Sequence, residues 1–162
     1  MTVTAQKSTQ IANADLKPSV TNPVIDDGKL RLARFDFTQD GAGDANSTVE
    51  LVKFGPGKVR IIPGLSYIKF SALTENAVLD IGHTGYTKLD GSSQSAQTDV
   101  IEDGLDVDAA GGSYMGTGTD AAANVAGFDI ESRDGFTIQA KVLTAGIPDD
   151  TTLVGWIAYV RD

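Results

Sequence analysis

The sequence contains no cysteine and a single histidine, His83. Without cysteine the chain cannot form disulfides, use a thiol nucleophile or bind zinc or iron–sulfur clusters through thiolates. One imidazole cannot build a histidine-rich metal site within one chain. Together, these two absences exclude most common classes of enzyme and metalloprotein.

Long apolar runs are also missing. The longest uncharged apolar run, residues 153–160, has eight residues, and a membrane-spanning helix needs about 20. The first ten residues, MTVTAQKSTQ, hold no hydrophobic stretch typical of a secretory signal. We therefore expect a protein made in a cytoplasm, with no membrane partner.

Positive charge is absent from one long stretch, residues 89–132. The chain has 13 basic and 22 acidic residues, a net charge of −9, and such a surface repels nucleic acid and anionic lipid. We predict no nucleic-acid partner, and we interpret this stretch as an exposed acidic loop region that keeps the protein soluble. Nine acidic residues lie in it: Asp90, Asp99, Glu102, Asp103, Asp106, Asp108, Asp120, Asp129 and Glu131.

Period-two alternation of apolar and polar residues dominates the chain from residue 29 onward and predicts β-strands. Ile68 and Phe70, for example, alternate with Tyr67 and Lys69, and Asp-Gly dipeptides mark the turns. About eight short strands without a convincing amphipathic helix indicate an all-β fold, an antiparallel β-sandwich of the jelly-roll type. We expect under about a tenth of the residues in α-helix, where a third is typical.

Three local features refine this prediction. The alternation changes phase between Leu32 and Phe35, which suggests a β-bulge. Residues 133–135, Arg-Asp-Gly, separate two alternating runs by a length suited to a hairpin. Residues 86–124 break the regularity and predict a long loop, interrupted at most by a short strand at residues 105–108, that is functional or ordered against a partner.

Residues 1–28 differ from the rest and divide the chain into an extended N-terminal arm, 1–28, and a β-sandwich domain, 29–162. The segment is polar, contains two prolines and shows no period. Its six large apolar residues cannot offset a backbone entropy of roughly 1–2 kcal/mol per ordered residue. We therefore expect the arm to lie along a surface already in place and to tether the domain to a larger assembly.

Catalytic chemistry is hard to assemble from these residues. His83 has no G-x-S-x-G serine to partner it, and we interpret it as a surface or hydrogen-bonded loop residue. Paired carboxylates are plentiful, but aromatic residues make up 7% of the chain, and a glycosidase cleft is usually rich in them. We predict that the protein is not an enzyme and has no catalytic or cofactor-binding residues.

Two acidic stretches, residues 40–46 and 99–108, are candidate Ca²⁺ sites because hard cations bind clustered oxygen ligands. Neither stretch matches the twelve-residue loop of EF-hands. The simpler interpretation of residues 40–46 is a loop between strands, and we predict no metal-binding residues.

The run at residues 153–160, which includes Trp156, is uncharged on both faces. An antiparallel strand with one wet face should alternate. Two interpretations remain open here. The run is either a central strand whose second face is covered by a loop or by the arm, or a strand whose second face meets another subunit.

Taken together, the chain resembles the capsid decoration (cement) proteins of tailed bacteriophages, which have a jelly-roll core. The resemblance covers residues 27–162 and is carried by residues 60–67 (RIIPGLSY), 79–86 (LDIGHTGY) and 155–160 (GWIAYV). It implies a non-enzymatic viral structural protein that binds and stabilises the capsid shell as a dimer or trimer. The implied partner is the major capsid protein, and the implied location is the surface of a virion assembled in the host cytoplasm.

An alternative function is a phage fibre-head or carbohydrate-binding β-sandwich module. A glycine-rich sandwich of this size would suit either role, and the segment 86–124 would then hold the ligand site. Exposed aromatic rings around Tyr86 and Tyr114 would have to form a sugar-binding platform.

Overall fold

The computed structural model describes residues 3–7, 11 and 30–161. Of the described residues, 56% lie in strands or bridges and 6% in helices, which confirms the predicted all-β class and its low helix content. A short helix, α1 (Thr119–Ala122), and a 3-10 turn, Pro63–Leu65, interrupt the strands. The described strands are β1 (Ala5–Lys7), β2 (Arg31–Thr38), β3 (Thr48–Phe54), β4 (Gly57–Ile61), β5 (Tyr67–Phe70), β6 (Val78–His83), β7 (Tyr86–Thr87), β8 (Ser93–Gln94), β9 (Gln97–Asp106), β10 (Gly111–Tyr114), β11 (Phe128–Ser132), β12 (Phe136–Leu143) and β13 (Thr152–Arg161).

Two sheets form the sandwich. The first has the strand order β1-β3-β12-β6-β9, in which β1 runs parallel to β3 and the other pairs are antiparallel. The second is built around β13, which pairs with β2 along one edge and with β5 and then β4 along the other. Strand β10 continues the sheet beyond β5, and β11 continues it beyond β4. The fold is therefore the predicted antiparallel β-sandwich of the jelly-roll type.

The core lies between the two sheets and is filled by the alternate residues of each strand. Phe35 and Phe37 of β2 and Leu51 of β3 are buried, as are Ile138 of β12 and Ile157 of β13. Burial of one such side chain contributes about 1.5–3 kcal/mol. The period-two pattern thus specifies which face of each strand turns inward.

The predicted bulge in β2 is wrong. Strand β2 pairs with β13 without a break, from Arg31 opposite Tyr159 to Thr38 opposite Thr152. Leu32 points away from the core and is 55% exposed. The change of phase arises because this strand carries apolar residues on both of its faces.

The predicted hairpin at residues 133–135 is also wrong. Strand β11 belongs to the second sheet and β12 to the first, so these residues carry the chain across the sandwich. Gly135 has a φ of 91°, and a Cβ at this position would collide with the carbonyl oxygen of Phe54. Residues 55–56 make the opposite crossing, from β3 to β4, at the same end of the domain. A turn of hairpin length therefore joins two sheets here.

The segment 86–124 is more regular than a long loop. It contains β7 to β10 and α1, and β9 is a ten-residue strand at the edge of the first sheet. The register of β9 against β6 shifts twice, near Leu79 and near Ile81. These irregularities and the acidic residues of β9 explain why simple alternation misses the strand.

Part of the predicted arm packs on the protein's own domain. Residues 5–7 pair with Thr48–Glu50 of β3, and the amide of Thr48 donates to the carbonyl of Thr4 at 2.9 Å. Ile11 is 1% exposed. The other residues of the segment, with the proposed boundary at residue 28, lie outside the described residues.

Candidate functional site

Strand β13 places Trp156 on the outer face of the second sheet. Trp156 lies opposite Arg34 of β2 on one side and Tyr67 of β5 on the other, and Tyr67 lies opposite Tyr114 of β10. These four residues form a row across four neighbouring strands, which we call the outer row. The adjacent Val154, also on the outer face, extends its apolar surface.

The rings of the outer row contact one another directly. Tyr67 stacks on Trp156 with ring centroids 5.1 Å apart and planes 26° apart, and it meets the edge of Tyr114 at 5.3 Å. The indole Nε1 of Trp156 donates to the carbonyl of Leu65 at 3.0 Å. Tyr114 is nonetheless 59% exposed and Val154 38%. The row is therefore an ordered aromatic surface in which Tyr114 is mostly exposed and Tyr67 and Trp156 are half-buried.

The same strand is covered at its other end. Strand β13 pairs with β5 as far as Trp156 and with β4 from Tyr159 onward. The 3-10 turn lies between β4 and β5, and the Ser66 hydroxyl is hydrogen-bonded to both neighbouring segments. It donates to the carbonyl of Ile62 at 3.0 Å and accepts from the amide of Ala158 at 2.9 Å. The interpretation of residues 153–160 as a central strand covered by a loop thus holds at Ala158, which is buried, whereas Val154 and Trp156 remain accessible and the contact with another subunit stays a prediction.

A second surface feature is a cleft of about 410 Å³ between the β7–β8 hairpin and β11. His83 and Ile130 are its buried residues, and Tyr86 and Phe128 contribute half-buried rings. The remaining lining residues are polar or lie at the rim: Lys88, Leu89, Asp90, Gln94, Gln97, Asp129 and Glu131.

His83 is the last residue of β6 and is 2% exposed, so the prediction of a surface or loop position is wrong. The prediction that it is hydrogen-bonded is correct. Its Nδ1 lies 2.9 Å from the carbonyl oxygen of Thr84, and its Nε2 lies 3.2 Å from the side-chain amide of Gln97. These partners are a backbone carbonyl and an amide, whereas a hydrolytic triad needs a serine and a carboxylate.

The charges beside the cleft are paired with one another. Lys58 contacts Asp129 at 3.5 Å and Glu131 at 3.4 Å, and Arg60 contacts Asp129 at 3.4 Å. The pKa of Lys58 is raised by these two carboxylates, Asp129 foremost. At the rim, Ser92 donates its hydroxyl and its amide to Asp90, which lowers the pKa of that carboxyl.

The acidic stretch 89–132 is only partly a solvated surface. Glu102 is fully buried and accepts from the amide of Thr117 at 3.0 Å and from its hydroxyl. Asp103 accepts from the amides of Thr119 and Asp120, at the start of α1. The interpretation as an exposed acidic loop is therefore wrong for Glu102. Glu102 and Asp103 together hydrogen-bond residues 117–120 to β9.

The two candidate Ca²⁺ stretches, residues 40–46 and 99–108, form a loop and most of a strand. Residues 40–46 connect β2 to β3, and Gly43 pairs with Ile147 there. Most of residues 99–108 belong to β9, whose side chains alternate between faces. Asp80 lies near this strand, accepts from the Gly104 amide at 2.9 Å and has its pKa raised, chiefly by desolvation. Within residues 3–7, 11 and 30–161, no three acidic or histidine side chains form a group that could hold a metal ion.

Tyr86 and Tyr114, which the alternative of a carbohydrate-binding module would need in one platform, belong to different clusters. Tyr86 contacts His83 at 5.3 Å and Phe136 at 5.9 Å, whereas Tyr114 contacts Tyr67. Sequence reasoning placed Tyr67 on the face opposite Ile68 but did not connect it with Trp156. The sequence signal that could have connected them is an aromatic residue at an outward position of each strand, Tyr67 in β5 and Trp156 in β13.

Comparison with known proteins agrees with the fold. No family model matches the chain, and no curated protein matches it. A chain from the capsid of Ralstonia phage GP4 is 19% identical over 85% of this chain and 88% of that chain, with a TM-score of 0.62. The VP2 protein of infectious bursal disease virus, in derived T=1 particles, matches 81% of this chain and 32% of its own with 8% identity and a TM-score of 0.42. In the part of the chain that the structure describes, no helix has the length and apolarity required to cross a membrane. The first of these matches shows that the chain shares the β-sandwich fold of a phage capsid chain.

Proposed function

We propose that this protein is a non-enzymatic structural component of a bacteriophage capsid that binds and stabilises the assembled shell through the outer row. The fold likeness to a phage capsid chain supports this role, because it extends over most of both chains and the two are similar in length. The observation that carries the proposal is the accessible aromatic and apolar surface of Trp156, Tyr67, Tyr114 and Val154.

The composition of this surface suits a protein partner. The exposed face of an antiparallel sheet is normally polar, and contiguous apolar patches mark interaction sites. Tryptophan, tyrosine and arginine are the residues most enriched among those that dominate binding energy at protein interfaces. The outer row consists of these three types alone, in ordered positions on four strands. It is therefore a pre-organised binding surface.

Under this proposal the major capsid protein of the shell is the partner, and the protein acts as a homodimer or homotrimer on the virion surface, added during assembly in the host cytoplasm. The shell contact is assigned to the outer row rather than to the arm. Among the described residues of the predicted arm, 4–7 are hydrogen-bonded to or paired with their own domain and Ile11 is buried, so these residues contribute to the fold.

The test is co-sedimentation with capsids assembled without this protein. We expect Tyr114→Asp to bind at least about tenfold more weakly, because an interface tyrosine of this kind contributes about 2 kcal/mol or more and 1.4 kcal/mol corresponds to tenfold. Tyr114 lies on an edge strand and is mostly exposed, so its loss leaves the fold intact. The matched control is Leu89→Asp, at an equally exposed position on the β7–β8 hairpin.

Wild-type binding by Leu89→Asp together with weakened binding by Tyr114→Asp supports the proposal. Equal binding by both variants would remove the outer row as the shell contact. Size-exclusion chromatography of the same variants separates shell binding from self-association, since a variant that merely dissociates into monomers changes its elution without any capsid present.

A further inference from the structure

The cleft beside His83 has the size and composition of a small ligand site. Its volume of about 410 Å³ falls in the lower part of the roughly 300–1,000 Å³ range of such sites. The half-buried rings of Tyr86 and Phe128 offer apolar surface, and the amides of Gln94 and Gln97 offer donors and acceptors. This combination of ring faces with neutral polar groups favours a small ligand that has both an apolar face and hydroxyl groups.

His83 fixes the orientation of one of these amides. Nδ1 of His83 lies 2.9 Å from the Thr84 carbonyl oxygen, which can only accept, so Nδ1 is the donor of this hydrogen bond. Nε2 of His83 lies 3.2 Å from the side-chain amide of Gln97, and this contact holds the amide at the wall of the cleft. The amide atom of Gln97 that points away from His83 is then available to a ligand hydroxyl group.

The ionised groups around the cleft balance. Asp129 and Glu131 are paired with Lys58 and Arg60, and Asp90 and Lys88 lie together at the rim. Three carboxylates therefore face three cations, which leaves little net charge to attract an ionic ligand. The paired carboxylates still have lone pairs that accept hydrogen bonds from hydroxyl groups.

From these observations we propose that the cleft binds an uncharged saccharide of one or two rings. The apolar C–H face of a sugar would pack on Phe128 or Tyr86, and its hydroxyl groups would bond to Gln94, Gln97 and the carboxylates. The site is independent of the proposed shell contact, because its residues are distinct from the outer row.

The experiment is an NMR titration of the ¹⁵N-labelled full chain with methyl glucoside, methyl galactoside, methyl mannoside, methyl N-acetylglucosaminide, maltose and lactose. We expect binding in the millimolar range, about −4 kcal/mol, with shifts at the amides of His83, Tyr86 and Gln94 and none at Tyr114. Glucose 6-phosphate and glucosamine, the anionic and cationic counterparts, should bind no better than the neutral sugars.

Two variants test the assigned residues. Gln94→Leu removes an amide and Phe128→Leu removes a ring face while keeping an apolar side chain, and each should weaken binding about tenfold, the effect of 1.4 kcal/mol. Gln139→Leu, on β12 and outside the cleft lining, is the matched control and should bind as wild type.

Three outcomes would overturn the proposal. The first is no shift of the cleft amides with any neutral sugar in the panel. The second is a shift centred on Tyr114 and Trp156. The third is that Gln94→Leu abolishes capsid co-sedimentation while no sugar binds, which would make the cleft a protein contact. Loss of capsid binding by outer-row variants has no bearing on these results.

Discussion

Two aromatic clusters of similar geometry lie in very different surroundings. At the end where the chain crosses between sheets, Phe54 contacts Phe136 at 5.1 Å and Tyr159 at 4.9 Å. In the outer row the ring contacts are 5.1 and 5.3 Å. Phe136 is 3% exposed, yet Tyr114 is 59% exposed. Ring spacing alone therefore does not distinguish a core cluster from a surface cluster.

The difference lies in what covers each cluster. The inner cluster, Phe54, Phe136 and Tyr159, lies at the end of the sandwich near the two crossings, residues 55–56 and 133–135. Phe54 and Phe136 are buried there, and Tyr159 is half-buried. The outer row lies on one sheet, and its ring contacts lie within that sheet. Ring pairs contribute about 0.5–1.5 kcal/mol beyond burial, and both clusters contain such pairs. The difference in stabilisation therefore comes from burial, which is much greater for Phe54 and Phe136 than for Tyr114.

The largest expected effect comes from breaking the inner cluster. Phe136→Ala removes a buried ring that contacts both Phe54 and Tyr86, and such truncations cost about 3–5 kcal/mol. Urea unfolding should show a much lower midpoint with an unchanged slope. A loss below about 1 kcal/mol would mean that the end of the sandwich collapses around the cavity, and the contrast with the outer row would fail.

A smaller effect on stability is expected from Trp156→Asp. It removes the stack on Tyr67, about 0.5–1.5 kcal/mol, and the hydrogen bond to the Leu65 carbonyl, about 0.5–1.5 kcal/mol. The half-buried position lets water reach the aspartate, so we expect a folded protein that has lost capsid binding. Trp156→Phe is the control, because it keeps an aromatic ring beside Tyr67 and removes the indole donor with part of the ring area. If the Trp156→Asp protein were unfolded, Trp156 would be as important for stability as the buried rings of the inner cluster.

The fold class followed from local pattern because each strand shows its own alternation. Strand pairing did not, since it depends on residues far apart in the sequence. Leu32 and Phe35 appeared out of phase because one strand bears apolar residues on both faces, one inward and one outward. Residues 133–135 have hairpin length whether they join neighbours or cross the sandwich, and nothing local distinguishes the two cases.

The candidate sites were less predictable than the fold. The cleft combines His83 and the β7–β8 hairpin with β11, segments more than 30 residues apart. Glu102 looked like one more solvated acid, and its burial against Thr117 depends on where the 117–120 segment folds back. The outer row required the register of four strands. In each case, the missing information was long-range pairing rather than residue chemistry.

The smallest effect concerns Tyr86, where the inner cluster borders the cleft. Desolvation raises the pKa of its hydroxyl above the ordinary 10, and the Glu131 carboxylate adds to this shift. In the pH window between the unfolded and folded pKa values, the native state retains a proton that the unfolded chain has lost. Stability therefore falls as the pH rises through that window, and Tyr86→Phe removes this loss.

Urea unfolding at about pH 8 and about pH 11, on either side of the tyrosine range, should show a smaller alkaline loss for Tyr86→Phe than for wild type. Tyr114→Phe, from the outer row, is the matched control, and an equal change in both variants would show that the cluster does not shield Tyr86 from water.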